Sequence, residues 1–209
     1  MMKKVFTLLM LVCVMLGAVT GTAWGAAAYV DRLADGSWQL EDNAHQDAVG
    51  TVVGLEFPVQ KFQFGMEFLK ASLETPCNHD IDITGYEVKT GYRIAKISAT
   101  SVYLTASYNR FELDDVDVDF SGVLIGVDVN SKLSNKWNVD AAATASVSGD
   151  AHYFNHNEDA TLITGRLKLN YQFAPDWSAN AGYRYYRVQD DHHTDYRLSG
   201  LTVGVTYRF

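Results

Sequence analysis

Cysteine is nearly absent: the 209 residues hold two, Cys13 and Cys77. Cys13 lies inside an apolar N-terminal run, so an exported mature chain keeps Cys77 alone and has no internal disulfide. Cys77 follows Pro76 in a polar stretch and reads as a loop residue. Proline is almost as scarce, and Pro58, Pro76 and Pro175 all fall in turns or loops, where a missing N–H harms no strand ladder. Basic charge is not in excess. The formal net charge is −8, which argues against nucleic acid as a partner. Beyond residue 25 there is no apolar run long enough for a membrane helix and no surviving 3.6-residue period. What remains is a chain that either stays in the periplasm or crosses a membrane as strands.

The N-terminus reads as a targeting segment. Lys3 and Lys4 form a basic start, residues 5–19 form a short apolar run, and small residues follow, with cleavage expected between residues 25 and 28. Cys13 is preceded by Val12 within the apolar run, so lipoprotein processing is not expected. The expected division is a signal peptide over 1–25 and a single domain over 26–209.

Within that domain the dominant signal is a period of two. At the end of the chain Leu201, Val203, Val205, Tyr207 and Phe209 alternate with Thr202, Gly204, Thr206 and Arg208. One face of such a strand is apolar and the other can face water. The same pattern recurs from Val49, Phe62, Thr84, Val102, Val123, Trp137, Leu167 and Trp177, which makes nine segments of about 10 to 12 residues, the length a tilted strand needs to cross a bilayer. Short turns alternate with longer polar stretches at 73–82, 112–119, 149–159 and 189–195. Residues 26–47 are the least readable. Trp38 and Leu40 alternate weakly, and Asp31, Arg32, Asp35, Glu41, Asp42 and Asp47 dilute the pattern.

A soluble sandwich would also alternate. Three features favour a membrane barrel. Aromatics on the apolar face collect beside the short turns, at Phe57, Phe62, Tyr92, Trp137, Phe173, Trp177, Tyr207 and Phe209, as an interfacial girdle would. The opposite face carries both signs of charge in mid-strand: Glu56, Glu67, Glu87, Lys89, Arg93, Asp128, Asp140, Arg166, Lys168 and Arg184. On a small barrel these point inward and neutralise one another. Glycines stud the same face and relieve crowding where a sheet curves tightly. The expectation is a closed, antiparallel, up-and-down transmembrane β-barrel. A barrel with both ends on one side needs an even strand number. Ten strands, with the first drawn from residues 26–40 and an outer loop at 41–48, are favoured over eight.

The leader, the alternating strands and the final Tyr207-Arg208-Phe209 resemble the small bacterial outer-membrane β-barrel proteins, the opacity-type group. The resemblance covers residues 26–209 and implies an integral place in the cell outer membrane of a Gram-negative envelope. It implies contact with outer-membrane lipid and lipopolysaccharide, and recognition of Tyr207 and Phe209 by the barrel assembly machinery. It does not select an activity, because such barrels serve many.

All six histidines fall in expected outer stretches: His45, His79, His152, His156, His192 and His193. His152, His156, His192 and His193 are candidate metal ligands, though their spacing matches no metal motif. His152 and His156 also lie near Ser146, Ser148 and Asp150, the residue types a lipid-modifying barrel enzyme would use. No spacing separates them from an ordinary loop. The reading is therefore a structural or surface-interaction (adhesin-like) barrel with a lumen largely filled by charged side chains, no cofactor and no catalysis, whose outer loops meet a surface ligand. A narrow small-solute channel is the main alternative and an outer-membrane lipid-modifying enzyme the third. The alanine row Ala141, Ala143 and Ala145 would leave a thin lipid face on its strand.

Overall fold

Period-two alternation becomes ten strands in the computed structural model, which describes residues 25–40, 46–73, 81–113, 118–153, 156–190 and 195–209. They are β1 (Ala27–Leu40), β2 (Gln46–Val59), β3 (Phe62–Leu73), β4 (Ile81–Ile97), β5 (Thr100–Leu113), β6 (Val118–Lys132), β7 (Trp137–Tyr153), β8 (His156–Gln172), β9 (Trp177–Asp190) and β10 (Asp195–Arg208). Each pairs antiparallel with its neighbours in sequence, and β10 closes on β1 from Ala27 opposite Arg208 to Leu40 opposite Tyr196. The closed ring leaves no unpaired strand edge. Residues 1–24, where the expected leader falls, lie outside the described residues.

The unreadable segment 26–47 thus supplies β1 and the start of β2, and its opacity has a local cause. Tyr29, Asp31 and Leu33 point into the barrel and are buried, yet so is Gly36, three positions on. A bulge between Leu33 and Asp35 inserts one residue and shifts the phase of the strand. An alternation counted straight through cancels itself.

The strands are longer than expected. They run 12 to 17 residues and take in much of the stretches read as outer loops, including most of 149–159. The reason is a change of solvent along each strand. Near the short turns the outward face is apolar and exposed, with Leu104, Ile125, Leu167 and Leu201 all at least half exposed. Further up, the outward face turns polar, at Lys70, Asp82, Arg110, Asp119, Asp195 and Arg197, and carries salt bridges. The inward face inverts in step. Leu73, Ile83, Phe111, Phe120, Leu124, Leu162, Val188 and Leu198 fill the bore with a buried apolar cluster. The upper half of the barrel is built like a soluble one, oily inside and wet outside.

At the turn end, Phe62 packs against Tyr92, Trp137 against Tyr171 and Trp177 against Tyr207, with ring centroids 4.8 to 5.2 Å apart. These exposed and half-buried rings form the expected girdle. Gln60 and Ser98 take left-handed φ values of 56° and 54° at two tight turns.

Candidate functional site

The bore has three levels. At mid-height lies a belt of charge. Asp31, fully buried on β1, lies 2.7 Å from the Lys168 ammonium and 3.4 Å from Arg184. Arg184 also grips both oxygens of Glu67, and Arg166 reaches the same carboxylate at 2.9 Å. Arg166 continues to Glu56 at 3.3 Å, and Lys89 links Glu56 at 3.5 Å to Asp128 at 2.7 Å. Tyr29 donates its hydroxyl proton to Glu67, while the Lys168 ammonium sits 3.8 Å above the Tyr29 ring. Glycine makes this fit. A Cβ at Gly54 would overlap the Tyr29 ring, and one at Gly204 would overlap the Asp31 carboxylate.

Seven of the ten residues assigned to the lumen network from alternation make these contacts: Glu56, Glu67, Lys89, Asp128, Arg166, Lys168 and Arg184. The other three stand apart. Glu87 faces Glu67 across the β3–β4 register and has no ion pair among the described residues. Arg93 sits at a β4 bulge with no side-chain ion pair among them; its backbone N–H donates to the Lys61 carbonyl at 2.7 Å. Asp140 is held by amides, accepting from Asn170 at 2.6 Å, from Asn138 at 3.2 Å and from Asn130. Alternation missed Asp31 and Tyr29, which share their phase with buried Leu33. The bulge that follows hid them.

Below the belt a vestibule of about 250 Å³ opens toward the turn end, lined by Glu56, Lys89, Tyr103, Asp140, Arg166 and Lys168. Above the belt the bore is packed. A cavity lined by Trp38, Phe111, Phe120, Tyr186 and Tyr196 measures about 20 Å³, barely room for one water. Charged side chains therefore fill the middle of the bore, but hydrophobic ones fill its outer half. This corrects the expectation of a lumen filled largely by charge. The physical cause is the change of solvent: where the outer wall meets water, the core must be oily.

Of the six histidines, only His152 has its side chain among the described residues. His152 Nδ1 lies 2.7 Å from Asn157 Oδ1 on the outward side of the β7–β8 hairpin. The side chain of His156 lies outside the described residues, as do His192 and His193. No group of three ligating side chains that could hold a metal occurs among the described residues. Ser146 accepts the backbone N–H of Leu162 at 2.9 Å, and among the described residues no hydrogen bond joins it to His152 as a nucleophile–base pair would require.

On the outer face, above the apolar band, Asp195 lies between Arg187 (2.9 Å) and Arg197 (2.5 Å). Partial burial opposes its charge, but hydrogen bonds from the two guanidinium groups outweigh that and hold the carboxyl below its usual range. Asp82 is lowered likewise, first by the Ser72 hydroxyl and then by Lys70.

The profile of the outer membrane protein β-barrel domain family matches residues 6–209. The chain belongs to that family. It is an integral outer-membrane protein, with its short turns on the periplasmic side, as in other members of this class. Among solved structures it is similar to the outer membrane protease OmpT from Escherichia coli at 7% identity, covering 90% of this chain and 98% of that one, with a TM-score of 0.57. Neisserial surface protein A matches at 12% identity, covering 90% and 98%, with a TM-score of 0.47. Ail, the attachment invasion locus protein of Yersinia pestis, matches at 13% identity, covering 89% and 99%, with a TM-score of 0.42. At 7% identity the likeness to OmpT describes the fold alone and no activity. No curated protein matches the sequence.

Proposed function

We propose that this family member is a non-conducting, non-catalytic pedestal that holds its outer loops above the lipopolysaccharide layer for contact with a surface ligand. One observation carries the reading: the apolar packing that fills the outer half of the bore above the charged belt. A solute entering the periplasmic vestibule meets the ion pairs of Glu67, Arg166 and Arg184 and then, among the described residues, closely packed apolar side chains around a cavity of about 20 Å³. The outward salt bridges of Lys70, Arg110, Arg187 and Arg197 lie where lipopolysaccharide headgroups would meet the wall, and support lipid contact there. The Tyr207–Phe209 ring pair lies within the aromatic girdle and supports recognition of this strand by the assembly machinery.

The vestibule favours a second reading, a narrow channel whose plug moves. Conductance across planar bilayers tests the choice. The pedestal reading expects a flat trace from the folded protein in either voltage polarity. Discrete openings abolished by filling the vestibule would establish the channel instead. Absence of lipid A acyl hydrolysis or transfer, and of peptide cleavage, is the expected result of enzyme assays.

A further inference from the structure

One charge in the apolar band is out of place. Arg32 on β1 points outward and is exposed, opposite Val203 on β10 and Thr51 on β2. Its surroundings are the exposed apolar side chains Val30, Val49, Leu201 and Val203, which face lipid. Val203 lies between the girdle residue Tyr207 and the polar rim that begins at Ser199, so Arg32 stands near the middle of the membrane, where an arginine facing lipid is most costly. Just beyond the bulge, Asp35 stands on the same outward face, exposed, opposite Leu201. Neither side chain has an ion pair or hydrogen bond among the described residues. Elsewhere the outward charges differ: Lys70, Arg110, Arg187 and Arg197 sit higher and each has an acidic partner.

A base and an acid side by side on one strand form a self-complementary pair. Copies related by a two-fold axis along the membrane normal keep their depth, so each Arg32 can meet the other copy's Asp35. Ala28 and Ala34, small and on the same strand, let two barrel walls approach closely. An anionic lipid phosphate is a poorer occupant, because Asp35 repels it and the site is neutral overall. We propose that the outward face of β1, flanked by β2 and β10, is the contact between two copies of this barrel in the bilayer, joined by reciprocal Arg32–Asp35 ion pairs.

The test is step-counting photobleaching of the folded, fluorophore-labelled protein in phosphatidylcholine vesicles over a range of protein-to-lipid ratios. The wild type is expected to reach two steps per spot. Arg32→Asp and Asp35→Arg should each weaken the dimer about tenfold or more, and the combined exchange should bring it back to within about threefold of wild type. Arg32→Gln, which removes charge without reversing it, should also weaken the dimer. Heat-modifiable gel mobility confirms that each variant is folded. A wild type that remains single-step at every ratio overturns the proposal, and so does a double exchange no better than its singles. Retention of phosphatidylglycerol that depends on Arg32 while the step count stays at one assigns the arginine to lipid and likewise overturns it.

Discussion

Arg184 on β9 and Glu67 on β3 meet across the bore, both carboxylate oxygens against both terminal nitrogens of the guanidinium. Two strands far apart in the ring are thereby tied through the barrel axis, beneath a cluster of buried apolar side chains. Asp31 and Arg166 extend the tie to β1 and β8. Breaking such a cluster strands a charge, so removal of one member should matter more than its single contact implies. Arg184→Leu is expected to destabilise the folded barrel by about 3–5 kcal/mol, since Asp31 and Glu67 lose a shared cation. Reversible urea unfolding in lipid vesicles measures this, and a loss below about 1 kcal/mol, the scale of an exposed pair, would show the belt to be solvated.

The upper core should behave as the interior of a soluble protein. Ile83→Ala and Phe111→Ala, which empty packed space in the bore, should cost about 2–5 kcal/mol each. Leu104→Ala and Leu167→Ala, exposed on the lipid side, should cost clearly less, because lipid tails fill the gap. Equal losses in the two groups would contradict the packing described.

Gly54 is required by Tyr29. Gly54→Ala should destabilise the barrel, because its methyl group overlaps the ring that donates to Glu67. In the Tyr29→Ala background the same change should be far less costly, so the two effects fall short of additive. Strict additivity in unfolding free energy would show that the two residues do not collide.

Asp195 supplies a pH dependence. Its folded carboxyl titrates below the ordinary range, so its contribution is complete at neutral pH. That contribution fades as pH falls below about 4 and protonation releases Arg187 and Arg197. The stability difference between wild type and Asp195→Asn should shrink over that acid range and stay constant above it. A difference that instead changes between pH 6 and 8 would point to another group.

Most of the barrel is legible as alternation, because one wall meets lipid and the opposite face of each strand does not. Leu201, Val203 and Val205 needed no tertiary information. β1 was opaque because the Leu33–Asp35 bulge reverses its phase, and Asp31, placed before the bulge, counted only as a charge that diluted the pattern. The upper strands were opaque for a different reason. At Arg110, Phe111, Glu112 and Leu113 the alternation persists with its sign inverted, polar outward and apolar inward. A pattern search that assumes lipid outside reads the inverted portion as loop. In the belt, opposite charges on alternating inward positions were readable as a set, but which acid meets which base depends on the way round the ring and is not written in any one strand.

The inversion of polarity along the strands is the central claim, and thiol accessibility tests it most directly. With Cys77 replaced by Ala, single cysteines are placed at Arg110, Phe111 and Leu104, and the folded protein in lipid vesicles is treated with a charged, membrane-impermeant maleimide. The structure predicts rapid labelling at 110, on the wet outer wall, and protection at 111, in the sealed bore, and at 104, against lipid. Rapid labelling at 111 in a fully folded barrel would mean that water fills the outer bore, and would contradict the account.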